Sequence, residues 1–169
     1  MFGISYTSYR SGAAAFPLRE HVMLTIADPS AVPAARSFVH WVSDPVAASV
    51  PQVRSRVRAV LDGWRVPVDV LDALSVVVSE LVGNVVRHAG VAGRMRVAVA
   101  EGGGWLRLEV ADRGSALPRL PAPRTEVDPE SEDGRGLLMV QLLTAELGGE
   151  LFVVSQEFGK AVRVRIPVL

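Results

Sequence analysis

The stretch SELVGNVVRHA, residues 79–89, decides the fold class of this 169-residue chain. It ends a valine-rich run that begins near Asp69, and valine by itself favours strands. A run of about 20 residues without a Gly-Pro break is too long for a strand, so its length predicts a helix. At about 100° per residue, Glu80, Asn84 and His88 form a polar stripe beside an apolar face.

This polar stripe has two interpretations. A carboxylate on a largely apolar helix can act as a general base, and a carboxamide one turn away offers an oxygen to a hard cation such as Mg²⁺. Burying such a carboxylate costs free energy unless a partner compensates for it. The alternative is a solvent-exposed face on which the three residue types share no function. The stripe alone does not decide between these interpretations.

The flanking segments predict three helices and five strands from their hydrophobic periodicity and their glycine and proline breaks. The helices are expected at 51–63, at 69 to 88 or 89, and from 136 to the glycine pair 148–149; the strands are expected at 37–42, 94–100, 105–111, 151–155 and 161–166. This order predicts an α/β (α+β) two-layer sandwich with helices on one face of a mixed, mainly antiparallel sheet. Residues 101–104 are expected to form a hairpin loop.

Two segments are expected to lie outside this sandwich. Residues 1–35 are interpreted as a partly flexible N-terminal extension with one strand at 22–26, and residues 36–169 as the domain. The proline-rich residues 115–133 are expected to form a mobile loop. No signal peptide or membrane-spanning stretch is recognisable, so a cytoplasmic location is expected.

Composition excludes several kinds of chemistry. The chain has no cysteine, which removes zinc-thiolate, iron-sulfur and thiol-nucleophile sites. Its 18 basic and 18 acidic residues balance, which argues against nucleic-acid binding through a strongly basic face. Lys160 is the single lysine, and Ala161 follows it where a P-loop needs Ser or Thr. The three tryptophans, Trp41, Trp64 and Trp105, are expected to be partly buried in the core.

Two further motifs could bind a ligand. Asp112 and Gly114 end a predicted strand, where a carboxylate can accept a hydrogen bond from an exocyclic amine and a glycine lets a flat ring approach the backbone. Taken alone, they are also typical of a plain turn. Gly134 and Gly136 flank Arg135 at the start of the third helix, where free N–H groups and a guanidinium suit phosphate. The alternative here is a glycine hinge.

The order of these three motifs resembles the N, G1 and G2 boxes of the GHKL ATPase superfamily. Within it, residues 79–89 are similar to the branch of small bacterial anti-sigma factors that act as serine kinases. The resemblance covers about Arg36 to Pro167. It implies a Bergerat-type, histidine-kinase-like ATP-binding fold, in which ATP lies between the helices on the sheet and a lid.

The resemblance implies roles for the residues of the long helix. Glu80 would be the general base that accepts the proton of an attacking serine hydroxyl. Asn84 would be the Mg²⁺ ligand that bridges the ATP phosphates. His88 would belong to the ATP site as a packing group rather than as a catalyst. Gly83 departs from many relatives, which have a small hydroxyl residue at this position.

The resemblance also implies roles for the other two motifs. Asp112 would read adenine, and Gly114 would pack beneath the base. The lid-to-helix segment around the phosphates would comprise Gly134, Arg135, Gly136 and Leu137. With Lys160 misplaced for a P-loop, any ATP chemistry is expected to rest on Asn84, Glu80, glycine-loop amides and arginine, as in the resembled family.

The function implied by the resemblance is that of a regulatory protein with ATP and Mg²⁺ as cofactors. It would phosphorylate a serine on a small STAS-type antagonist protein and would also bind a sigma factor. A homodimer is a further expectation, whereas direct contact with nucleic acid or membrane is not expected. The alternatives are a nucleotide-sensing module without turnover and an interaction domain with an empty pocket. Glu80 favours the first function, and Asn84 and Asp112 argue against the last.

Overall fold

The computed structural model describes residues 35–88, 93–114, 135–157 and 159–168. The elements, in chain order, are β1 (Arg36–Ser43), α1 (Ser49–Gly63), α2 (Val68–His88), β2 (Arg94–Gly102), β3 (Trp105–Asp112), α3 (Arg135–Glu146), β4 (Glu150–Gln156) and β5 (Gly159–Pro167). All the helices and strands predicted between residues 36 and 167 are therefore present. The strand expected at 22–26 and the loop expected at 115–133 lie outside the described residues. Within those residues, no helix is both long and apolar enough to cross a membrane.

The five strands form one sheet in the order β1-β2-β3-β5-β4. Each neighbouring pair is antiparallel. The sheet formed by the described strands is therefore wholly antiparallel, whereas the sequence predicted a mixed, mainly antiparallel one. The hairpin β4–β5 follows α3 and returns so that β5 pairs with β3. Helix α1 packs on α2, α2 packs on β3 and on α3, and α3 packs on β4 and β5. The predicted two-layer sandwich is confirmed.

The core lies between the helices and one face of the sheet. Alternate residues of β3 (Leu106, Leu108 and Val110) point toward the helices and are at most 2% exposed. The apolar face predicted for α2 covers them, and its members Leu71, Leu74, Val78, Leu81 and Val85 are all buried. Each such side chain contributes about 1.5–3 kcal/mol on burial. This packing holds α2, and the stripe it carries, rigidly over the centre of the sheet.

The hairpin between β2 and β3 is tighter than the sequence predicts. Strand β2 extends to Gly102, which leaves a two-residue turn at Gly103 and Gly104. Both glycines have positive φ, 60° and 77°, as a two-residue hairpin turn of the primed type requires. This turn sets the register that places Ala111 opposite Arg96 at the other end of the pair.

The opposite face of the sheet carries a buried charge cluster. Glu109 of β3 is 7% exposed and accepts hydrogen bonds from Arg96 of β2 and from Arg163 of β5, its cross-strand partner. A buried carboxylate needs such partners, because an unpaired charge in the interior is costly. Trp41 lies on the same face of β1 and is 58% exposed, so the expectation that it joins the core is wrong. β1 is an edge strand, and this face of it is turned away from the helices.

Candidate nucleotide-binding site

Helix α2 presents Glu80 and Asn84 at the border between the core and solvent. Both residues are half-buried, whereas His88, the last residue of the helix, is exposed. Within the described residues, the Glu80 carboxylate has no hydrogen-bond partner. The stripe is therefore not a fully solvated face, because a carboxylate and a carboxamide lie partly enclosed beside apolar residues. Whether Glu80 is a base and Asn84 a metal ligand stays a prediction.

The first turn of α3 lies against this stripe. A Cβ added at Gly136 would overlap Oε2 of Glu80 and would lie 3.8 Å from Oδ1 of Asn84. Only a glycine therefore lets α3 approach α2 at this point while Glu80 keeps its position. Two other residues were predicted to lie around the ATP phosphates. Arg135 is exposed at the start of α3, and Leu137 is buried in the first turn of the same helix. Gly134 lies outside the described residues.

Two general properties of this arrangement suit phosphate. The first backbone N–H groups of a helix have no partner within the helix, and its N-terminus carries a partial positive charge. The start of α3 therefore places an anion-binding helix end beside Asn84. The fold brings Gly136 into contact with Glu80 and Asn84. Glu80 and Gly136 are 56 residues apart in the sequence. The structure thus joins two of the three predicted motifs.

Arg87 is a residue of the site that the sequence reasoning missed. Its Nη2 donates a hydrogen bond to Oδ1 of Asn84 at 2.7 Å. Both terminal nitrogens of Arg87 lie 3.9 Å from where a Cβ would stand at Gly83, so the guanidinium lies back along the helix over that glycine. The spacing of three residues from Asn84 is a signal that the sequence contained. A cation thus stands beside the predicted magnesium ligand.

The third motif is a compact cluster at the end of β3. Asp112 is 7% exposed, and its Oδ1 accepts hydrogen bonds from the backbone N–H of Gly114 at 2.6 Å and from Nζ of Lys160 at 3.1 Å. Lys160 is the cross-strand partner of Asp112 on β5. Gly159 precedes it with φ 114°, and a Cβ there would overlap the carbonyl oxygen of Asp112. Gly159 therefore allows β5 to bring the ammonium group to the carboxylate.

The backbone of Gly114 packs directly against this ion pair. A Cβ added there would lie 2.7 Å from Oδ1 of Asp112 and 2.8 Å from Nζ of Lys160, so no other residue fits without displacing the pair. A glycine at such a place lets a flat ring approach the backbone beside a carboxylate and an ammonium group. The residues present thus fit the base of a nucleotide. The role of Lys160 was missed because its partner is set by strand register rather than by a local motif.

The same residues can be tested against Mg²⁺. Among the described residues, no three His, Asp or Glu side chains gather in a way that could hold a metal ion. Mg²⁺ at phosphate sites usually takes one or two protein ligands and completes its shell with phosphate oxygens and water. One carboxamide oxygen at Asn84 beside an anion-binding helix end fits this pattern. A metal ion bound there would depend on the nucleotide for most of its ligands.

Residues 43–166 match the family model of the histidine kinase-like ATPase domain. This match spans most of the chain and includes every described residue of the three motifs, so the chain belongs to that family of ATP-binding domains. The GHKL resemblance of the sequence is thereby confirmed. Comparison with curated proteins gives no match.

Two solved structures illustrate the similarity. The histidine kinase domain of the blue-light activated histidine kinase from Erythrobacter litoralis EL346 shares 26% identity and superposes with a TM-score of 0.51 over 73% of this chain and 61% of its own. The RsbU and RsbW domains of Rv1364c from Mycobacterium tuberculosis share 20% identity with a TM-score of 0.54, over 79% of this chain and 34% of that one. The second match shows the shared fold. The chain thus spans less than two thirds of either relative.

Proposed function

We propose that this domain is an ATP- and Mg²⁺-dependent regulatory serine kinase of the anti-sigma type. Its substrate would be a serine on a small STAS-type antagonist protein, and its other partner would be a sigma factor. The observation that carries the proposal is the meeting of Glu80, Asn84 and Gly136, because it places a carboxylate, a carboxamide oxygen and a helix N-terminus around one point. These are the groups that phosphoryl transfer to a hydroxyl needs.

Each group has a separate task in this proposal. The N–H groups at the start of α3 hold the phosphates, and Arg87 meets their negative charge. Asn84 holds Mg²⁺, which neutralises charge on the phosphate oxygens when it is bound. Glu80 accepts the proton of the serine hydroxyl while the hydroxyl oxygen forms its bond to the γ-phosphorus and the bond to the ADP oxygen breaks. Asp112 and Gly114 hold the base and so fix the position of the γ-phosphate.

The regulatory consequence follows from charge. Phosphorylation would give the antagonist serine a charge of about −1.5 to −2 at neutral pH. Near the partly enclosed Glu80 carboxylate, such a group is repelled unless an arginine compensates for it. The modified antagonist would therefore leave, and the domain would become available to the sigma factor. This exchange is supported by the family resemblance and by the placement of Glu80.

A nucleotide-sensing module without turnover is a second candidate, and one contact favours it. Oδ1 of Asn84, the oxygen expected to bind Mg²⁺, already accepts a hydrogen bond from Arg87 at 2.7 Å. Mg²⁺ at this oxygen would share it with the Arg87 guanidinium, whose positive charge opposes a second cation so close by. In a sensing module, Arg87 would keep this position and contact the phosphates directly, and ATP would bind equally well without Mg²⁺.

Calorimetry separates the candidates at the level of binding. The wild-type chain is titrated with ATP in Mg²⁺ and in EDTA. Binding that requires Mg²⁺ supports the kinase, and binding of equal strength in EDTA supports the sensing module. Asp112→Asn should abolish binding in either case, because the carboxylate loses its charge beside Lys160. A wild-type chain that binds no ATP would contradict both candidates.

Phosphoryl transfer is then tested with Glu80→Gln. Proteins that co-purify with the chain are incubated with it and ATP, and phosphoserine is measured by mass spectrometry. The variant should bind ATP as the wild type does and transfer about 10²- to 10⁴-fold more slowly, the usual contribution of a general base. Asp72→Asn is the matched control, because it removes a carboxylate from the same helix at an exposed position paired with Arg58. Transfer by Glu80→Gln at the control's rate would show that Glu80 is not the base.

A further inference from the structure

Lys160 is the one residue of the site that neither the motifs nor the phosphate chemistry uses. It is the only lysine in the chain, it is 9% exposed, and its Nζ lies 3.1 Å from Oδ1 of Asp112. Lysine is rarely buried to this extent, because removing an ammonium group from water costs free energy that one partner seldom restores fully. Because burying this ammonium group costs free energy, we looked for a function of Lys160 in ligand binding.

The hydrogen-bonding capacity of the pair is only partly used. Oδ1 of Asp112 accepts from the N–H of Gly114 and from Lys160. Within the described part of the chain, Oδ2 accepts nothing, and Nζ, which has three N–H donors, donates only to Asp112. The pair therefore offers one free acceptor and further free donors. Both groups lie directly beside Gly114, because a Cβ there would stand 2.7 Å from Oδ1 of Asp112 and 2.8 Å from Nζ of Lys160.

This arrangement matches one chemical edge of a nucleotide base. The exocyclic amine of adenine donates hydrogen bonds. The ring nitrogens N1 and N7 lie on either side of it, and each accepts a hydrogen bond. A carboxylate beside an ammonium group presents the opposite pattern, an acceptor next to a donor. Guanine in the same pose would turn its O6, an acceptor, toward the carboxylate. The pair therefore suits adenine and opposes guanine.

We propose that Lys160 is a second base-reading residue, which donates a hydrogen bond to a ring nitrogen beside the amine that Asp112 accepts. This inference rests on the proposed binding of ATP and adds a specificity determinant to it. Lys160 also holds Asp112 in place through Oδ1, which leaves Oδ2 for the amine. Adenine is thus read by a charged pair from two adjacent strands.

The test uses the ligand as the probe, so it does not depend on a variant that folds. Wild-type protein is titrated calorimetrically with ATP, 1-deaza-ATP and 7-deaza-ATP, in which a C–H replaces one ring nitrogen. A hydrogen bond to a charged group is worth about tenfold or more in affinity. One of the two analogues should therefore bind at least tenfold more weakly than ATP, and it identifies the nitrogen that Lys160 contacts.

The same titrations on Lys160→Met show whether the preference between ATP and the analogue depends on Lys160. The variant should bind ATP about tenfold more weakly and should no longer distinguish ATP from the analogue that the wild type rejects. Arg163→Met is the matched control, because Arg163 also lies on β5 and pairs with a buried carboxylate of β3, but on the opposite face of the sheet. It should keep the wild-type preference between ATP and the analogue. Circular dichroism confirms that each variant is folded.

The outcomes separate this inference from the function on which it rests. Wild-type protein that binds ATP and both analogues equally would overturn the role of Lys160 and leave ATP binding intact. The role of Lys160 is also overturned if Lys160→Met, or Lys160→Leu should the Met variant fail to fold, keeps the full penalty for the analogue. GTP bound as tightly as ATP would overturn the reading of adenine. Wild-type protein that binds no ATP would overturn the proposed function itself.

Discussion

Replacing Gly136 with alanine should separate catalysis from stability in this domain. The added Cβ would overlap Oε2 of Glu80, which is the end of a flexible side chain rather than part of the backbone. Gly136 has no positive φ, so alanine is compatible with its conformation. The carboxylate is therefore expected to move by on the order of 1 Å to restore van der Waals contact, while the helix keeps its place.

The magnitude follows from this displacement. A 1 Å misplacement of a reacting group typically costs about 10²-fold in rate. The free energy of unfolding should fall little or even rise, because alanine is favoured over glycine in a helix by up to about 1 kcal/mol. Transfer to the antagonist should therefore drop about 10²-fold at saturating ATP, with an unfolding midpoint close to that of the wild type.

Two measurements on Gly136→Ala check this reasoning. Single-turnover transfer with mass-spectrometric detection gives the rate, and urea denaturation gives the free energy of unfolding. Gly63→Ala is the control, because nothing lies within 4 Å of the Cβ that it would add. A wild-type rate for Gly136→Ala would refute the reasoning, since the carboxylate would then not need the position it occupies against α3.

Three further predictions concern the stability of the fold. Gly83→Ala should raise the free energy of unfolding by up to about 1 kcal/mol, because its Cβ would meet only the Arg87 side chain at 3.9 Å; urea denaturation measures this. Leu74→Ala, at a side chain 1% exposed, should lower the same quantity by about 2–5 kcal/mol, and a loss under 1 kcal/mol would contradict the packing described for α2. Burial, and then the positive charge of Arg56, lowers the pKa of His40 below its usual 6.5. The unfolded chain therefore binds this proton more readily than the folded chain, so stability should fall as the pH drops below about 6.5, and His40→Gln should show a smaller fall between pH 8 and 5.

The secondary structure was predictable because periodicity is a local property. The spacing of valines and leucines around residues 79–89 predicted α2, and its buried face agrees residue by residue. The alternation at 37–42 predicted β1, and the glycine-rich residues 101–104 predicted a hairpin loop between β2 and β3, which the structure shortens to two residues. The order of three short motifs then indicated the family, which residues 43–166 match. Each of these inferences used residues that are close together in the chain.

The errors and omissions came from contacts between distant residues. Trp41 was expected in the core, but β1 lies at the edge of the sheet and turns this side chain away from the helices. The mixed sheet became antiparallel because β5 returns to pair with β3. Arg87 was missed because its hydrogen bond to Asn84 depends on a rotamer, which sequence spacing permits but does not specify.

Lys160 illustrates which properties of this protein the sequence alone does not determine. The sequence determined the helices, the strands and the residues that carry the motifs, since these depend on periodicity and on neighbours in the chain. It could show only that Lys160 is misplaced for a P-loop. The tertiary structure decided that Lys160 pairs with Asp112, 48 residues away, and that Gly136 lies against Glu80. Strand order and register bring these distant side chains together. The residues next to each of them in the sequence do not predict the contact.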